Sequence, residues 1–360
     1  MKYLLTILLL PLTAFPQLIT TNWGETNNFY VPQGCYAGNR SVAVAQILNY
    51  WQHPNQGWGD VEYNSIWVED EITCDFENQY EWQNQTQDDK DWLVFAAGAS
   101  CKHQFSPYLQ NSMCDIYNLD TIRQALVQYW GFKQGVITTD TALIISDIQD
   151  GKPVLLESLP IYPQLGCARY FILDGYNNGL FHVNNSFGGM FNGWYEIGNI
   201  VFMGTHYNYN KALTGIEPDS MEISGYVMYE GLDLYIVGHV DLTDSLWTPI
   251  QDEGYFNITV PRGWYCTHTV CTLPWGRSNS VDALLILKMF AGLDSLGELA
   301  NQAANVNLDY SVNTTDALLT ARRFVGLISG FPSGDWLFSE GCVNNDALLL
   351  ILGRCYGDVN

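Results

Sequence analysis

The sequence predicts an α+β domain, followed by a small antiparallel β-sandwich and a helical repeat region, on three observations. Apolar residues recur at helical spacing early in the chain. Short apolar runs divided by Gly and Asn turns begin near Pro153. A single Asp-Ala-Leu-Leu unit occurs three times toward the end.

Taken in order, Ser41 to Trp51 (SVAVAQILNYW) carries the helical spacing, and His53-Pro54 with the Gly57/Gly59 loop stops it. Val68 to Lys90 is polar and acidic and reads as a surface loop. Asp91 to Ser100 and Leu119 to Trp130 read as two further helices, the second capped by Asp120 with Thr121 and stopped by Gly131. From Pro153 the period changes. Pro153 to Leu156, Tyr170 to Asp174, Leu180 to Asn184 and Gly193 to Ile197 read as short strands. Helices first and strands second make the α+β domain, residues 18–212. Alternating runs at 223–227, 234–237 and 255–260 predict the sandwich, residues 219–272. Ser280-Val281-Asp282-Ala283-Leu284-Leu285, Thr314-Thr315-Asp316-Ala317-Leu318-Leu319 and Asn344-Asn345-Asp346-Ala347-Leu348-Leu349 each place an Asp before an apolar run. That predicts three helices in a repeat region, residues 273–360.

Composition narrows the function classes. Met1-Lys2 followed by Tyr3 to Leu10 and then Pro11 to Gln17 reads as a secretory signal peptide, residues 1–17. The run falls well short of the roughly 20 apolar residues of a membrane span, and no later run is long enough, so no span is expected. With 38 acidic against 15 basic residues, net charge -23, the chain lacks the Lys and Arg clusters that nucleic acid requires. Export permits disulfides among the nine cysteines. Proximity alone suggests Cys101/Cys114, Cys266/Cys271 and Cys342/Cys355, and an odd count leaves at least one thiol over. No CxxC unit supports a thiolate zinc site.

Several segments, in order, carry a family resemblance. These are Thr21-Asn22-Trp23-Gly24, Ala43 to Pro54 (AVAQILNYWQHP), Phe95-Ala96-Ala97-Gly98, Gly151-Lys152-Pro153-Val154, Phe171 to Tyr176 (FILDGY), Phe181 to Gly189 (FHVNNSFGG) and Gly193-Trp194-Tyr195. In this order and spacing the segment 20–205 resembles the streptopain family of papain-like cysteine peptidases, secreted by bacteria. The resemblance implies an α+β papain-like peptidase domain and a secreted or cell-surface bacterial protein. It also implies a thiolate at a helix N-terminus, a His base, an Asn that orients it and a Gln that helps hold the oxyanion.

Position by position, that machinery is missing. Without a gap, Asn39 stands where the nucleophilic Cys belongs; alternatively a short segment containing that Cys is deleted, and no thiol opens the helix either way. Arg169 stands at the His position without a gap, and Cys167 stands there by the Gly-x-Ala pattern; neither is an imidazole base. Glu25 replaces the oxyanion Gln. Asn184 survives as the orienting Asn, although the Trp-Gly-Trp that should follow has become Asn185-Ser186-Phe187. His182, in the Phe-His-Val-Asn run, reads as structural. Two functions follow. One is an inactive homologue whose old cleft holds a peptide or protein, or only folds. The other is an active cysteine endopeptidase with relocated residues, using Cys35 or Cys167.

The repeat region resembles dockerin-type calcium repeats, which implies a protein partner for them. Its best loop runs from Asn305 to Asp316. The resemblance implies calcium held by Asn305, Asn307, Asp309, Asn313 and Asp316, with Ser311 offering its backbone carbonyl. Leu308 and Tyr310 stand in place of turn glycines and are expected to weaken the site. Asp282 and Asp346 lack an upstream ligand set and read as helix caps. Gly357-Asp358-Val359-Asn360 has the look of another loop's opening, which suggests a truncated chain. A purely structural surface protein assembled through these repeats is a third expectation.

Overall fold

The computed structural model describes residues 17–25, 28–69, 71–107, 118–162, 168–232, 234–243 and 246–360. All of the expected signal peptide except Gln17 lies outside them, as do Cys114 and Cys167. Among the described residues no helix is long and apolar enough to cross a membrane. The chain divides into two compact units. The first is 1–219 with 261–263, and the second is 220–260 with 264–360.

In the first unit, α1 spans Gly38–Trp51. It starts three residues ahead of the apolar run, so Gly38, Asn39 and Arg40 form its first turn and are buried with the rest. A hairpin follows, β1 (Asp60–Asn64) paired antiparallel with β2 (Glu71–Asp75). This corrects part of the loop expected at 68–90. Each strand carries only two inward residues, Val61 with Tyr63 and Ile72 with Cys74, too few to stand out among acidic neighbours. Helix α2 (Gln87–Ser100) starts four residues before its apolar run, because Thr86 and Asp89 close a capping box. Helix α3 occupies Leu119–Trp130, as its periodicity predicts, and ends on Gly131 in the left-handed region (φ 63°). Its cap is Asn118, which accepts from the Asp120 N–H; Asp120 instead pairs with Arg123 at 2.5 Å.

A seven-stranded sheet then forms from β3 (Val136–Thr138), β4 (Val154–Pro160), β5 (Arg169–Asn177), β6 (Leu180–Asn184), β7 (Gly193–Tyr195), β8 (Ile200–Phe202) and β9 (Thr205–Thr214). The order is β3-β9-β4-β5-β6-β7, with β8 on β9. Helix α4 (Thr141–Gln149) precedes β4. Strands β4 and β5 are buried along nearly their whole length because both faces are covered. Leu155, Tyr170 and Ile172 point into the core built by α1, α2 and α3. Val154, Leu156, Phe171 and Leu173 point the opposite way, onto Ile144 and Ile148 of α4. This two-residue alternation seats the start of β5 against the start of α1.

In the second unit, β10 (Ser220–Tyr229), β11 (Gly238–Thr243), β12 (Leu246–Pro249), β13 (Tyr255–Pro261), β14 (Tyr265–Cys266) and β15 (His268–Cys271) precede the helices α5 (Ser280–Phe290), α6 (Glu298–Ala304) and α7 (Thr314–Phe324). Strands β16 (Trp336–Phe338), β17 (Cys342–Val343) and β18 (Ala347–Cys355) come last. The sheets run β13-β10-β18-β16 and β12-β11-β15, with β14 on β17. Three expectations change here. The run 234–237 is not a strand; only a bridge from Tyr235 to Met228 forms. The third repeat copy is β18, not a helix. The β10–β18 pairing is parallel, so the sheet is mixed and draws on strands from the region read as repeats. An apolar run of that length suits either state, and pairing on both edges decided it. Accordingly Asp346 caps no helix; its Oδ1 accepts from the Glu222 N–H at 2.8 Å. The cysteines also sort differently, with Cys266 bonded to Cys342 rather than to Cys271.

The first two copies do form helices, α5 and α7, each with a capping box: Asn279 with Asp282, and Asn313 with Asp316. Both Asp side chains are buried. They also take the same kind of second partner. Asp316 Oδ1 accepts from Asn307 N, within its own loop. Asp282 Oδ1 accepts from Val359 N (2.9 Å), Asn360 N (3.0 Å) and Asn360 Nδ2 (2.9 Å). The segment 357–360 thus gives α5 what Asn305 to Asn307 gives α7. Asp282→Ala removes a cap and strands buried donors, so it is expected to lower unfolding stability by about 2 kcal/mol. Asp346→Ala, at an exposed strand start, is expected to change it by under about 0.5 kcal/mol. Denaturant midpoints of the two variants check this.

Candidate active-site region

Four residues picked out by the sequence converge where β5 meets α1. Arg169 opens β5, Asn39 sits in the first turn of α1, Asn184 ends β6, and Glu25 lies on the segment whose carbonyl accepts from Ala37 N at 3.0 Å. All four are buried.

Glu25 and Arg169 form an ion pair, Nη2 to Oε1 at 2.6 Å, and neither side chain reaches solvent. Arg169 Nη2 also donates to the Asn185 carbonyl at 3.3 Å. Its guanidinium carbon lies 3.6 Å from the Phe202 ring centroid, so an aromatic face covers the charge. Burial raises the Glu25 carboxyl above its ordinary range, and the neighbouring guanidinium opposes that shift. Asn39 Nδ2 donates to the Tyr170 carbonyl at 2.7 Å, which fastens the helix start to β5.

Among the described residues Asn184 hydrogen-bonds to no histidine. Its Nδ2 donates to the Thr21 carbonyl at 3.0 Å and to Gln46 Oε1 at 3.3 Å, and its Oδ1 accepts from Ser186 N at 2.9 Å. Gln46 in turn donates to Ser186 Oγ at 3.2 Å and accepts from Thr21 Oγ1 at 2.9 Å. This buried network ties the N-terminal segment to α1 and β6. His182 Nδ1 lies 2.6 Å from Asp174 Oδ1, while Asp174 Oδ2 accepts from Ile19 N at 3.2 Å. Asp174 anchors the incoming chain, and His182 braces its carboxyl.

Cys35 is half-buried and lies ahead of the α1 start. Burial is the one influence on its thiol and pushes it up, the reverse of what a nucleophilic thiolate requires. Cys167 lies outside the described residues. Gln46 and Phe202 are the contributors that sequence reasoning left without a role. Gln46 stands inside the quoted Ala43 to Pro54 match, whereas Phe202 gives no signal in a three-residue strand.

The loop from Asn305 to Asp316 folds around its own polar groups. Asp309 Oδ2 accepts from Asn307 Nδ2 at 2.9 Å, Asp309 Oδ1 accepts from Ser311 N at 3.2 Å, and the Ser311 carbonyl accepts from Asn313 Nδ2 at 3.2 Å. Asp316 Oδ2 accepts from Asn313 N at 2.9 Å. Leu308 (φ 57°) and Tyr310 (φ 69°) adopt the left-handed conformation that glycine would take without strain, at about 1 kcal/mol each. Asn305 Oδ1 is buried without a partner. Among the described residues no group of three or more His, Cys, Asp or Glu side chains is gathered as metal ligands. The oxygens here come mainly from amides and backbone.

Residues 19–195 match the Peptidase C10 family. No curated protein matches the chain. Among solved structures it is similar to active wild-type interpain A cysteine protease of Prevotella intermedia. The identity is 23% and the TM-score 0.48, over 56% of this chain and 93% of that one. It is also similar to a prointerpain A fragment from the same organism, at 21% identity and TM-score 0.46, over 57% and 73% of the two chains. The segment that carries Glu25, Asn39, Arg169 and Asn184 is therefore streptopain-family (C10) cysteine peptidase-like.

Proposed function

We propose that this is an exported, non-catalytic homologue of the C10 peptidases, a scaffold that keeps the fold without the peptide-cleaving chemistry. The observation that carries this is the buried Glu25–Arg169 ion pair, which stands where the resemblance places the oxyanion donor and the base. Acyl transfer needs a nucleophile, a group that takes its proton, and donors for the oxyanion. Asn39 offers an amide already donating to a carbonyl. A guanidinium accepts no proton near neutral pH, and a carboxylate at the oxyanion position repels the charge that develops there. Burial of all four residues favours a scaffold over a groove that grips peptide. The purified protein is expected to leave casein intact and to take up no thiol-directed activity probe. Casein cleavage abolished by thiol alkylation would establish the other reading, an active endopeptidase using Cys35 or Cys167.

The repeat loop supports a calcium ion as a structural ligand. The residues fit one, because the orphaned Asn305 Oδ1 and the alternating oxygens of Asn307, Asp309, Ser311 and Asp316 are hard donors of the kind calcium takes. An ion bound there would neutralise the two carboxylates and tie the loop to the start of α7. Calcium added to chelator-treated protein is expected to raise Tm by several degrees, about 2.7 kcal/mol at a hundredfold excess over Kd. Asp316→Asn should abolish the shift. An unchanged Tm in millimolar calcium would show that the loop binds no calcium.

A further inference from the structure

The second unit holds two more cysteines besides its disulfide. The Cys266–Cys342 bond takes one member from each sequence-adjacent pair and leaves Cys271 and Cys355 over. These two share a place. Cys355 is fully buried in the core of the second unit, and Cys271 packs against the same cluster. The segment after Cys271 runs past Cys355. Leu273 N donates to Cys271 Sγ at 3.3 Å, and the Leu273 carbonyl accepts from Trp336 Nε1 at 3.0 Å. Trp336 is the residue of β16 that stands opposite Cys355. Two residues on, Trp275 Nε1 donates to the carbonyl of Tyr356, the neighbour of Cys355, at 2.9 Å. The next backbone N–H, that of Gly276, points to the Cys355 sulfur.

We infer that Cys271 and Cys355 form a second, redox-responsive pair, closing to a disulfide that joins the end of β15 to the end of β18 and resting as a buried dithiol under reducing conditions. The oxidant is a small-molecule or protein disulfide. Two S–H bonds break and one protein S–S bond forms. The two electrons reduce the oxidant's S–S bond, and the two protons end on its released thiols. Burial raises both thiols, that of Cys355 to about 11, so folded, reduced protein should exchange slowly and closure should precede complete packing. The staple acts on the strand that most needs one. Strand β18 enters the sheet parallel to β10 from far along the chain, and such non-local pairing is entropically the costliest to form.

The full chain, unfolded and reduced, would be refolded with and without glutathione disulfide, then denatured, alkylated with iodoacetamide and mapped by mass spectrometry without reduction. A Cys271–Cys355 crosslinked peptide beside the Cys266–Cys342 one is expected in the oxidised sample alone. Cys271→Ser should lose the new crosslink and leave Cys355 alkylated, with Cys266–Cys342 intact. Should Cys271 and Cys355 both take up iodoacetamide in oxidised wild-type protein, or either bond elsewhere, the inference fails. The wild-type map stands even where the variant does not fold.

Discussion

Arg169→Met is expected to lower the stability of the first unit by about 3–5 kcal/mol, the loss typical when one partner of a buried ion pair is removed. The cause is the carboxyl left behind. Glu25 would sit in the core without its guanidinium, and its Oε2 already lacks a partner. It would escape by holding a proton, so its folded pKa would rise further above its unfolded value. A raised carboxyl pKa means the folded state holds more protons. The variant's deficit should therefore deepen as pH climbs from about 4.5 toward neutrality. Glu25→Leu combined with Arg169→Met should recover part of the loss, because apolar replacement of both partners removes the uncompensated charge. Urea unfolding followed by tryptophan fluorescence at pH 7 measures all three proteins. A single variant within 1 kcal/mol of wild type would show that the pair is not the centre of this site. No variant of this set is expected to cleave casein, since Asn39 supplies no thiolate.

The second large effect is acid sensitivity from His53. This ring is buried, with Nε2 3.3 Å from the Gly131 carbonyl and its edge on Phe132 at a centroid distance of 5.2 Å. Burial pulls it down from 6.5 to about 4, against smaller opposing contributions from the Gly131 and Trp130 backbone and from Asp219. The unfolded chain binds a proton in that window and the folded chain does not. The stabilisation is complete above about pH 6.5 and is lost as pH falls through about 4, a difference of about 3 kcal/mol. Glu25, Asp147 and Asp174, all raised by burial, act in the opposite direction as pH falls, so the useful comparison is with a variant. His53→Gln should be weaker than wild type at pH 7 and should lose less between pH 7 and pH 4.5. Parallel losses in the two proteins would rule His53 out as the source.

Much of this was present in the residues taken locally. Apolar periodicity and a following glycine mark α3 from end to end, and the Asn178-Gly179 turn ahead of a short apolar run marks β6. The absence of a thiol at the α1 start needs only the order of residues, because a nucleophile is a residue type at a position. Capping boxes begin α2 and α7 within a few residues of where apolar spacing alone would start them.

What required the fold is whatever joins distant segments. Glu25 and Arg169 stand 144 positions apart, and separately each reads only as a lost catalytic group. Brought together in a core with little solvent, they become one another's counter-charge. The repeated Asp-Ala-Leu-Leu unit is locally the same text three times, yet the third copy is a strand because β10 and β16 offer it backbone partners on both edges. Asp282 finds its acceptor role filled by residues 359 and 360, and Cys266 finds Cys342, for the same reason. Periodicity reports which face of an element is apolar, but the partner of a charge, a thiol or a strand edge is chosen by packing among segments that the chain order does not place side by side.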